Sequence, residues 1–127
     1  MTYKSHRLDV YNTGLFLATT RKQWKQLAKK CKLIEADVPD CAGQVSSGVW
    51  QPKTRGLAEH HVVVWINVKQ HGDQGELLDT CAHEASHAAG RILEHIGHPV
   101  PATDEPHAYL VGWLTRWIYE ACHACQC

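Results

Sequence analysis

The chain has 127 residues, 44% of them hydrophobic, and thirteen Lys and Arg balance thirteen Asp and Glu, so the formal net charge is zero with His neutral. That length fits one domain spanning 1–127, and the composition excludes a disordered or collagen-like chain. No run approaches the roughly 18 apolar residues of a membrane span, and the opening Met-Thr-Tyr-Lys-Ser-His lacks an apolar signal core, so the expected location is cytoplasmic and the six cysteines are expected as reduced thiols.

Residues 6–11 and 15–19 read as strands around Asn12-Thr13-Gly14, whose turn chemistry suits a tight connection. Thr20 then caps a helix that runs to about residue 32, with Gln23 in the capping-box position. On this helix Lys22, Lys25, Lys29 and Lys32 form a stripe opposite Trp24, Leu27, Ala28 and Cys31. Strands follow at 45–51 and 61–68, the second rich in Val, Ile and Trp as a buried strand should be, with Pro39, Gly43, Pro52 and Gly56 punctuating the links. Two long helices complete an α+β order of elements. Charge is uneven along the chain: residues 1–60 carry ten Lys and Arg against five Asp and Glu, and residues 61–127 carry three against eight. The lysine stripe is read first as a solvated helix face and second as a nucleic-acid contact.

The penultimate helix holds the chain's most informative segment, His83-Glu84-Ala85-Ser86-His87. Leu78, Cys81, Ala82, Ala85, Ala89, Ile92, Leu93 and Ile96 recur at steps of three and four around it, predicting an amphipathic helix. Asp73 and Glu76 resemble a capping box at its start, and Gly97 before Pro99 supplies its stop. Histidines at i and i+4 share one face one turn apart, so His83 and His87 can converge on a single zinc ion while Glu84 serves as general base toward a water.

A catalytic zinc typically takes three protein ligands, and the third cannot come from the same helix. Asp79 lies about 12 Å from His87 along the axis at 1.5 Å per residue, and Glu94 and His95 are two turns or more beyond it. The extended HExxHxxGxxH form fails because Gly90 matches its glycine but Leu93 stands at the final histidine position. A partner from the last helix is therefore expected. There Asp104 is a candidate N-cap, Pro106 suits a first turn, and Glu105 opens the helix. Ala108, Val111, Leu114, Trp117, Ile118 and Ala121 form the stripe that packs on the HExxH helix. The chain ends in Cys122-His123-Ala124-Cys125-Gln126-Cys127, read as a Cys-rich tail over 122–127, with a structural metal site completed by Cys31 or Cys41 as the rival reading. Cys81 is expected as a small buried hydrophobe.

Together, His83, Glu84 and His87 with the run Asp104-Glu105-Pro106-His107-Ala108-Tyr109 resemble the gluzincin branch of the zincin metallopeptidases. The run also looks like the matching helix of ImmA/IrrE-type metallopeptidases, and the pattern is similar to small HExxH proteins encoded by bacteriophages and prophages. The resemblance covers residues 77–120. It implies a minimal zincin-like α+β domain, a Zn2+ held by His83, His87 and Glu105, Glu84 as general base, a peptide or protein substrate, and a bacterial or phage-infected cell. Many gluzincins place an aspartate one turn after the glutamate, where this chain has Tyr109. Tyr109 is read both as an oxyanion donor at the zinc and as a half-buried aromatic. Family members present an edge strand beside the zinc for an extended substrate, for which residues 62–68 or 45–51 are the candidates. The rival function is a zinc-containing protein that binds nucleic acid or a host protein through its basic first helix without proteolysis.

Overall fold

Strand alternation separates two cores. The computed structural model describes residues 3–50, 58–98 and 105–124. In β2 (Thr13–Ala18) and β4 (Glu59–Ile66), Leu15, Leu17, Val62, Val64 and Ile66 face one side of the sheet, and Phe16, Ala18, Val63 and Trp65 face the other. The first set packs under α2 (Gln74–His95) and α3 (Glu105–Ala124), and the second under α1 (Arg21–Cys31) through Trp24, Leu27 and Cys31. Among the described residues the result is an α+β arrangement of three α-helices around a four-stranded mixed sheet of order β1-β2-β4-β3. Here β1 is Lys4–Leu8 and β3 is Gly43–Trp50. β2 and β4 run parallel, with Leu15 opposite Val62, and the other pairs are antiparallel.

The first strand stops at Leu8 rather than continuing to residue 11, because a 3-10 turn (Asp9–Tyr11) ends in Asn12 at φ 49. Asn tolerates that left-handed conformation, and its side chain accepts from Arg7 Nη2 at 2.7 Å. β4 is flanked on both sides, so residues 62–68 are excluded as an edge strand, while β3 occupies an edge. Both helix starts carry the expected caps: the Gln23 N–H donates to Thr20 Oγ1 at 3.1 Å, and the Glu76 N–H donates to Asp73 Oδ1 at 2.9 Å. In each case the reciprocal bond falls one residue early, on the N–H of Thr19 and of Gly72.

The buried face of α2 is turned slightly from the expected stripe. Leu77 is 2% exposed, while Leu78 and Ile96, expected in the core, are 44% and 48% exposed. On α3 the core residues are Leu110, Leu114, Ile118, Ala121 and Cys122, and Ala108 is exposed. The Cys-rich tail reading is corrected for its first residues, since Cys122 and His123 lie within α3 and Cys122 is buried beside the Cys81 thiol, to which it is hydrogen-bonded. Cys31 is buried on the opposite side of the sheet from Cys122, so these two cannot share an ion. Cys125 and Cys127 lie outside the described residues. Among the described residues no helix is long and apolar enough to cross a membrane.

Candidate metal centre

The middle of α2 carries polar groups on two faces. His83 and His87 project from an exposed face, and Glu84 from the buried one. Their one-turn spacing brings the two imidazoles together, with Nε2 to Nε2 at 3.2 Å and ring planes at 74°. Two nitrogens each 2.0–2.1 Å from a tetrahedral ion would lie roughly 3.3 Å apart, so the pair fits two corners of a zinc site. Among the described residues no three His, Cys, Asp or Glu side chains are gathered closely enough to hold an ion. Glu105 is exposed at the first residue of α3 and is not brought into a three-ligand group with the histidines. Asp104 and the rest of the 99–104 connection lie outside the described residues. Tyr109, one turn into α3, is 77% exposed, more than a half-buried aromatic would be.

Glu84 is 5% exposed and packs against the start of β3. Gly43 makes this approach possible: a Cβ there would lie 2.8 Å from Glu84 Oε2 and 2.7 Å from Thr80 Cγ2. Burial pushes the Glu84 carboxyl above the usual carboxylate range, while His83 and His87 pull it back down. Thr80 is fixed in turn, since its hydroxyl is 2.8 Å from His71 Nε2. The Cys41 thiol lies close by, donating to the Gly43 carbonyl at 3.2 Å, and desolvation first and the Glu84 charge after it raise its pKa.

β3 runs along α2 as an edge strand. The Ser47 carbonyl faces away from β4, because it accepts from the Ile34 N–H at 3.2 Å. Alternation turns the Val45 N–H and C=O the same way. One turn beyond His87, Arg91 bridges back to this strand by donating to Ser47 Oγ at 2.9 Å. Past it a cavity of about 750 Å³ opens between β3 and the last turns of α2, lined by Ser47, Val49, His60, Arg91 and His95 among others. The His60 and His95 rings stack there at 4.2 Å. Thr13 Oγ1 donates to the Tyr11 carbonyl, so His60 Nδ1 carries the proton that it donates to that hydroxyl at 3.1 Å.

The sequence reading named Gly43 only as a residue that punctuates a link, and did not name His71, Thr80 or Arg91. Arg91 and His95 extend the four-residue stride of His83 and His87, a signal that was there to find. Gly43 meets Glu84 only through tertiary folding and has none. The lysines of α1 at 22, 25 and 29, and Lys32 after it, are all exposed, on the layer opposite the histidine pair. Comparison of the chain with protein-family models, with curated proteins and with solved structures finds no match.

Proposed function

We propose that this chain is a zinc-dependent metallopeptidase with a minimal zincin-like fold. The observation that carries the reading is the convergence of the His83 and His87 Nε2 atoms at 3.2 Å, one helix position from a buried Glu84 that packs on an edge strand. His83 and His87 would hold the zinc, and Glu105, exposed at the first residue of α3, is the proposed third ligand. A bound zinc would lower the pKa of water and polarise a peptide carbonyl. Glu84 takes the proton of the attacking water and returns it to the leaving amine. Its burial supports this role, because a carboxyl raised above its ordinary range is a better base than an exposed one. β3 is the edge strand proposed to receive an extended peptide, and Gly43 at its start keeps the path to Glu84 short.

Elemental analysis of the purified protein, paired with cleavage of a fluorescence-quenched peptide library, tests the proposal. One zinc per chain is expected, lost in His83→Ala and His87→Ala. Glu84→Gln is expected to keep the metal while cleavage falls by about 10²–10⁴-fold. Metal-free protein, or full cleavage by Glu84→Gln, would sink the reading. Zinc retained in Glu105→Ala would remove Glu105 alone and send the search for a third ligand to Asp104 or His98.

A further inference from the structure

The sheet face that carries α1 is not wholly covered by it. Strand alternation places Arg7, Gly14, Phe16, Trp50, Glu59 and His61 on that face, past the end of the helix. Together with Lys30 they line a cavity of about 390 Å³, within the size range of small-ligand sites. Gly14 keeps the floor open, because a Cβ there would press on the Phe16 ring at 3.1 Å and the His61 ring at 3.2 Å. The histidine pair on α2 belongs to the opposite layer, so nothing in the proposed peptidase chemistry uses this cavity.

Its walls are chemically uneven. The Lys30 ammonium lies 5.5 Å over the Phe16 ring and takes only the Tyr3 hydroxyl, at 3.2 Å, with no carboxylate partner among the described residues. Arg7 is already held, by Asp9 at Nε (3.2 Å) and Asn12 at Nη2 (2.7 Å), and only its Nη1, 3.5 Å from Glu59, is loosely engaged. Lys30 is therefore the open cation, and Arg7 can offer an anion Nη1 alone, in exchange for its contact with Glu59. Opposite them, Glu59 is an acceptor, 3.4 Å from His61 Nε2. His61 is 5% exposed, its Nδ1 has no hydrogen-bond partner among the described residues, and burial depresses its pKa, so the neutral ring with Nε2–H toward Glu59 leaves Nδ1 an unfilled acceptor there. Nδ1 is itself covered, so a ligand donor meets it only when the ring turns from its edge-on contact with Phe16. At the rim, Trp50 is 37% exposed and offers a flat face.

Two cations, a stacking face and two acceptors on one concavity match a compound that carries a phosphate, a planar ring and ring or sugar donors. We propose that this cavity binds a mononucleotide, with Lys30 and Arg7 on the phosphate, Trp50 against the base, and Glu59 and His61 taking its N–H or O–H groups. The test is calorimetric titration of the full chain with AMP, GMP, CMP and UMP, and with inorganic phosphate and the free nucleosides as partial ligands. At least one mononucleotide is expected to bind saturably at one site. Its phosphate and its nucleoside alone should each bind at least about tenfold more weakly, and Lys30→Met, Arg7→Gln and Trp50→Leu should each weaken it by about tenfold. His83→Ala should leave binding unchanged, which separates this site from the metal centre. All three cavity side chains are at least partly exposed, and circular dichroism verifies that each variant folds. No saturable binding by any of the four, binding untouched by all three cavity substitutions, or phosphate alone binding as well as the nucleotide would each overturn the assignment.

Discussion

Gly43 shows how one missing side chain can make room for a buried carboxylate. An alanine there would bring its Cβ to 2.8 Å from Glu84 Oε2 and 2.7 Å from Thr80 Cγ2, inside van der Waals contact. Glu84 and Thr80 both sit on a packed helix, and Thr80 is bonded to His71, so neither yields freely. Gly43→Ala is expected to destabilise the protein by about 1–3 kcal/mol through overpacking. Under the proposed peptidase function it should also lower cleavage, because the displaced carboxylate loses its aim, while zinc content stays as in the parent. Urea denaturation and elemental analysis of the purified variant measure both; parental stability together with parental cleavage would mean that Glu84 does not pack on β3. At this scale the sequence was legible where chemistry is local. The pairing of His83 with His87 follows from their spacing alone, whereas the contact of Gly43 with Glu84 joins positions that only the folded sheet brings together.

The helices test what periodicity can and cannot read. That α2 is a helix, where it starts and which residues cap it all followed from local chemistry, since Asp73, Glu76 and Gly97 act within a turn of themselves. Its rotational phase did not follow. Adjacent Leu77 and Leu78 support two overlapping stripes, and the stripe through Leu77 contains Glu84, which looks like a reason to reject it. The structure buries that stripe nonetheless, so the residue that broke the binary pattern is the one proposed to do chemistry. Two substitutions separate the phases. Leu77→Ala is expected to destabilise by about 2–5 kcal/mol, as core truncations do, and Leu78→Ala by about 1 kcal/mol or less. Equal or reversed midpoint shifts in urea would show that α2 is rotated from its described seat on β2 and β4.

Across the whole molecule, the α+β order of elements was legible but the placement of β4 was not. Local turn signals say which strands follow one another, while the parallel pairing of β2 with β4 rests on a crossover through α1 and β3 that no short segment encodes. That placement puts His60 of β4 between Thr13 of β2 and His95 of α2, with Arg91 close enough to oppose its charge. Desolvation first, and the charges of His95, His61 and Arg91 after it, lower the His60 pKa from 6.5 to about 4. An unfolded chain takes up this proton near its ordinary value, and the folded chain does so only near pH 4, so between the two the unfolded state binds more protons. Stability present above about pH 6.5 should therefore fall as the pH drops and level off near pH 4, by on the order of 3 kcal/mol at about 1.4 kcal/mol per tenfold in proton affinity. His61, whose pKa burial also lowers, adds in the same direction. Urea unfolding between pH 7 and pH 4 reads the slope, and His60→Asn, which cannot titrate, should flatten most of it while lowering stability at neutral pH through the altered contact with Thr13. An unchanged slope in His60→Asn would assign the acid sensitivity to other groups and remove His60 as the histidine that ties the sheet to α2.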